Sequence, residues 1–159
     1  LQAASPSTNK RRTPPKDTII EDATIERGTL GHVEQMLRDT LAVNPDQLSA
    51  YYALYKLLFR QSRLEEAANV AQLGLAVSAR LGRFTAAWQK LDRPTADWAD
   101  TQSPAHFYLF TLKALSFIRL RQGEFAECRS LLEKLDELDP EDLVGASVIR
   151  AYADGSSLG

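Results

Sequence analysis

The sequence contains one cysteine, two histidines and one methionine in 159 residues. A lone Cys128 excludes an internal disulfide and fits a reducing compartment, so the chain is expected in the cytoplasm. His32 and His106 lie far apart, and neither has Cys or His at ligand spacing, so no metal site is expected. Cys128 has no adjacent base to make it a nucleophile and reads as a small packing residue. No glycine-rich phosphate loop occurs among the 8 glycines, and no carboxylate spacing picks out an acid/base pair. The expectation is a protein with no cofactor and no enzymatic activity. Any apolar run near the roughly 18 residues that span a bilayer is also absent, so no membrane partner is expected. No charged–apolar–small signal sequence opens the chain. Its Leu1-Gln2 start, without Met, reads as a fragment, a processed chain or numbering from an internal residue.

What remains is ordinary globular material, 44% hydrophobic and 25% charged, long enough for one domain with a sizeable core. Charge is distributed unevenly. Residues 1–17 hold Lys10, Arg11, Arg12 and Lys16 against Asp17 alone, a balance of +3, which leaves −5 for the rest of a chain whose net charge is −2. Residues 1–16, rich in Ser, Thr and Pro, read as a disordered basic tail. Its cations could steer toward an acidic partner, but a solvated tail is the plainer reading, and nucleic acid is not an expected partner.

From residue 17 to 155 the pattern predicts a single helical domain. A first unit, 17–46, turns at Arg27-Gly28-Thr29, carries Leu30, Val33, Leu37, Leu41 and Val43 on its second helix, and stops at Asn44-Pro45-Asp46. The second unit, 48–81, has Tyr51, Leu54, Leu58 and Phe59 before a turn at Gln61-Ser62-Arg63, then Leu64, Ala67, Ala71 and Leu75. The third, 109–142, turns at Gln122-Gly123-Glu124 and closes on Asp139-Pro140. Gly28 precedes Ser62 by 34 residues, and Pro45 follows Gly28 by 17, as Pro140 follows Gly123. A helix–turn–helix period of 34 is the mark of a stacked repeat.

Ser62 and Gly123 are 61 residues apart, one repeat plus 27, so an insertion is expected at about 80–107. The second helix of unit two is expected to run on to about Lys90 before a loop bearing Trp88, Pro94, Trp98 and Pro104. Trp88 and Trp98 either anchor that loop to the body or present rings to a partner. A last helix, 141–153, with Val144, Val148 and Tyr152 on one face, is expected to cap the final unit.

The unit at 109–142 resembles a tetratricopeptide repeat, with Leu112, Leu115, Gly123, Phe125, Leu138 and Pro140 at matching places and Cys128 where the family usually has Ala. Ser116, Arg119 and Leu135 depart from the pattern. The resemblance implies an all-α, right-handed α-solenoid of about three helix hairpins, interrupted by the insertion and closed by the capping helix. It also implies a groove lined by the first helix of each unit. Tyr52, Lys56, Phe59 and Arg60 would then face Lys113, Phe117, Leu120 and Arg121, a surface of rings and cations suited to a protein segment bearing carboxylates. The structural alternative is that Phe59 and Phe117 pack under the cap or the insertion. Paired Asn that would clamp a C-terminal carboxylate are missing, since Ala53, Lys56, Ala114 and Phe117 stand there.

The stretches Asp97-Trp98, His106 to Leu115 and Leu138-Asp139-Pro140-Glu141-Asp142 resemble small repeat proteins encoded with nitrogen-fixation genes, the nitrogenase-associated factor T type. That resemblance implies an accessory factor docking on the molybdenum–iron protein of nitrogenase during assembly or after damage. The alternative is a cytoplasmic repeat chaperone of the type III secretion kind, holding a client segment in the same groove; the 27-residue break departs from the even spacing of that family.

Overall fold

The computed structural model describes residues 16–157, with side chains over 26–155. The basic cluster Lys10-Arg11-Arg12 of the expected tail lies outside the described residues. Two compact units divide the chain, Leu1–Val33 and Glu34–Gly159. The fold is all-α. Helices run α1 Lys16–Val43, α2 Leu48–Arg60, α3 Leu64–Gly82, α4 Pro104–Arg121, α5 Phe125–Leu138 and α6 Ser147–Ser157, with short 3₁₀ turns at Trp88–Lys90 and Arg93–Thr95. No strand occurs among the described residues.

The turn expected at Arg27-Gly28-Thr29 is not there; these residues lie inside the continuous helix α1. Gly28 has open space where a Cβ would stand and does not adopt a positive φ. A single glycine with helix-compatible neighbours lowers helix stability by about 1 kcal/mol without ending the helix. Termination comes where Asn44-Pro45-Asp46 places it.

The pairs α2–α3 and α4–α5 are built alike. Each first helix closes on a left-handed residue, Ser62 at φ 58° and Gly123 at φ 78°. In the first turn Ser62 N donates to Phe59 O and Arg63 N to Leu58 O; in the second Gly123 N donates to Leu120 O and Glu124 N to Arg119 O. The same bonds recur 61 residues on, which makes the turns equivalent in structure as well as in sequence. Both arrangements pair carbonyls that a helix end otherwise leaves open.

Packing then proceeds α2 on α3, α3 on α4, α4 on α5 and α5 on α6, while α4 also touches α2 and α6. Small residues on α3 allow close approach, since Gly74 sits against Phe107 of α4 and Tyr51 of α2. Cys128 of α5, the residue in the usual alanine place, is fully buried, with Leu131 and Leu135 in the same core.

The insertion differs from expectation at its start. α3 stops at Gly82, not near Lys90, because Arg83 turns left-handed at φ 61° and Phe84 N donates back to Ala79 O. The Phe84 ring then folds over Gly82, so close that a Cβ there would collide with it. Beyond this point Phe84, Trp98 and Tyr108 form an aromatic cluster with ring separations of 5.1 to 6.3 Å. Trp98 is 5% exposed and its indole N–H donates to Asp92 O at 2.9 Å. Tyr108 Oη donates to Ala86 O at 2.7 Å, and Lys134 Nζ to Leu91 O at 2.7 Å. The segment is strapped onto α4 and α5.

The last helix begins at Ser147, not Glu141. Asp139 accepts from the backbone N–H groups of Leu143 and Val144, and Asp142 and Gly145 both take positive φ. These turns break the i, i+4, i+8 register assumed for Val144, Val148 and Tyr152. The side of α6 that faces the core instead carries Ile149 and Ala153; Val148 and Tyr152 are exposed, at 56% and 59%. Arg150 fastens α6 to α5 through Asp136 at 2.6 Å and the carbonyl of Leu132 at 3.1 Å.

Candidate functional site: an apolar groove between α2, α4 and α6

Because α4 lies against both α2 and α6, the side chains these three helices leave free converge on one hollow of about 190 Å³. Tyr52, Tyr55, Lys56 and Phe59 come from α2, and Phe110, Lys113, Ala114, Phe117 and Ile118 from α4. α6 adds Ile149. The i, i+3, i+4 and i+7 spacing within α2 and α4 puts each set along one helix face.

Rings form its floor. Tyr52 meets Phe110 edge-on at 5.5 Å and Tyr55 at 5.6 Å, while Phe59 lies 5.0 Å from Phe117. Phe117 in turn stacks on Tyr152 of α6 at 5.9 Å. Cations stand over these rings: Lys56 is 5.3 Å from Tyr52, Lys113 is 5.4 Å from Phe110, and Arg121 is 5.3 Å from Phe59. Deeper in, the Tyr55 and Thr111 hydroxyls bond to each other at 3.3 Å. Burial pushes the Tyr55 phenol up to about 12, against a smaller opposing effect from Thr111. It stays protonated and offers no base.

Of the residues singled out from sequence, Tyr52, Lys56, Phe59, Lys113 and Phe117 come together in this hollow, with Arg121 over Phe59 at its edge. Arg60 is exposed at the end of α2. Leu120 is 8% exposed and belongs to the core, and so does Trp98. Trp88 is half-buried against the same core. Phe59 and Phe117 are partly buried, and α6 touches Phe117 without closing the hollow. Ile149, expected only in the capping helix, also lines the hollow, and Tyr152 of the same helix lies beside it against Phe117. Gly145, two residues before α6, was the available sign that the helix starts late.

A second hollow, about 230 Å³, lies between 93–99 of the insertion and 138–143. Its buried carboxylate, Asp139, is committed to the N–H groups of Leu143 and Val144. Among the described residues no group of three His, Cys, Asp or Glu is placed to hold a metal ion. No helix of the described residues is long and apolar enough to cross a membrane.

An uncharacterized 19.8 kDa protein in the nifW 5′ region of Azotobacter chroococcum mcd 1 is 30% identical to this chain over 121 residues, which span 75% of the chain and 68% of that protein. The two belong to one family. No family model matches the chain, and no solved structure matches it.

Proposed function

We propose that this chain is a non-enzymatic protein-binding module serving nitrogen fixation, and that the groove of α2, α4 and α6 is its docking surface. The observation that carries the binding role is the groove itself: an open apolar floor with cations above it and no group poised as an acid, base or nucleophile. The nitrogen-fixation setting rests on the relative in the nifW 5′ region. The equivalent turns of α2–α3 and α4–α5 support a tetratricopeptide-like reading of the hairpins. The partner under this reading is the molybdenum–iron protein of nitrogenase, held as an immature or damaged species by an accessory factor. The test is a binding titration of the purified chain against molybdenum–iron protein, both with its cofactor and without. Saturable binding to either form supports the reading; no binding to both rejects it.

A further inference from the structure

The size and charge of the groove narrow what it can hold. Its volume of about 190 Å³ is below the roughly 300–1,000 Å³ of pockets that enclose a cofactor or other small molecule. A single large side chain is the better match. The lining includes two lysines and no Asp or Glu, and Arg121 stands over Phe59 at the edge. This is a local excess, because the chain as a whole carries a net charge of −2. Asp142 attracts Lys113, but its oxygens already accept from the Ser147 N–H at 3.2 Å and hydroxyl at 2.6 Å. Lys56 uses one donor on the Tyr52 hydroxyl at 3.2 Å, which leaves further N–H groups for an incoming acceptor.

The α6 side of the hollow has a different character. Ile149 is buried, whereas Tyr152 is largely exposed while keeping its stack on Phe117. An exposed ring held beside an apolar hollow can cover a guest on the side that α2 and α4 leave open.

Resting on the groove as the docking surface, we propose that its occupant is an acidic protein segment with one bulky apolar side chain, and that Tyr152 of α6 is a specificity-determining contact. The apolar side chain enters between Phe59, Phe117 and Ile149. Carboxylates on either side of it reach Lys56, Lys113 and Arg121. Charge sets which segments dock, and the apolar anchor sets how long they stay.

The experiment is selection of displayed random peptides on the full chain, followed by fluorescence-anisotropy titration of the enriched peptides. Enriched sequences should carry one Phe, Trp, Leu, Ile or Met among Asp and Glu, and raising salt should weaken them. Replacing the anchor by Ala, or Tyr152→Ala in the protein, should each weaken binding about tenfold. Lys56→Glu with Lys113→Glu, helical circular dichroism unchanged, should turn the selection toward Lys- and Arg-flanked anchors. No enrichment, a basic or uncharged consensus, or binding indifferent to Tyr152→Ala overturns the proposal. Acidic peptides that bind while molybdenum–iron protein does not would reject the nitrogenase partner and leave this inference standing. Molybdenum–iron protein that binds the double-Glu variant undiminished would move the docking surface elsewhere.

Discussion

Cys128 is the chain's one thiol, and its surroundings make it inert. It is fully buried, and burial pushes its pKa up, with Arg129 only partly offsetting this. A disulfide reagent such as Ellman's should therefore fail to titrate the folded protein and should report one thiol once denaturant is added. A fast native reaction would mean that the core around α5 opens readily. The charged residues around Glu34 behave differently. Arg63 pairs with Glu34 and with Glu66, and Arg38 bonds Glu34 at 3.0 Å, joining Glu34–Val43 of α1 to the start of α3. The bond from Arg63 is the main cause that holds the Glu34 carboxyl below its ordinary 4.5. A folded value below the unfolded one gives stability that is present above pH 4.5 and is lost as pH falls through the lowered folded value. Glu34→Gln should narrow the difference in melting temperature between pH 7 and pH 3, as followed by circular dichroism. An unchanged difference would show that the pair contributes nothing measurable.

At the scale of the element, the two hairpin turns can be compared directly. Gly123 has open space around it, so Gly123→Ala meets only the backbone cost of a left-handed residue, about 1 kcal/mol. Ser62 already bears that cost at the equivalent position, and Ser62→Gly should stabilise by a similar amount. Thermal melts of the two variants should shift in opposite directions. The strap makes a second prediction. Trp98→Ala removes a buried ring that packs on Phe84 and Tyr108, at a cost of about 3–5 kcal/mol. Limited trypsin digestion should then cut after Lys90 well before the body of the protein; an unchanged pattern would mean the strap is held by other contacts.

These elements also show what sequence could and could not reveal. The hairpins of α2–α3 and α4–α5 were legible because apolar spacing and turn residues agree at both levels. The tetratricopeptide resemblance implied a shared groove for Tyr52, Lys56, Phe59, Lys113 and Phe117, and these five line one hollow. Leu120 lies in the core because α4 packs against α2, α3, α5 and α6 and buries apolar residues on every side but the groove, so apolar spacing alone does not single out its open face. Gly28 misled as a turn because spacing alone cannot separate a tolerated helical glycine from a terminating one. The end of α3 depended on Phe84 folding back over Gly82, a tertiary contact with no local signature. The late start of α6 depended on Asp139 and Asp142 binding nearby backbone N–H groups.

For the molecule as a whole, the second unit is a run of helices whose contacts pass mostly between neighbours in sequence, with α4 at their junction. Such packing leaves one face of α2 and α4 open and brings α6 to its edge, so that the hollow is a product of the fold order. The proposed role requires that surface to engage a protein partner. Its most direct test is a titration of molybdenum–iron protein with the wild-type chain and with the Lys113→Glu/Arg121→Glu variant, read by biolayer interferometry. The prediction is saturable binding by the wild type and a loss of about tenfold or more in the variant, with helical circular dichroism preserved. Equal affinity for the two chains would contradict the groove as the docking surface.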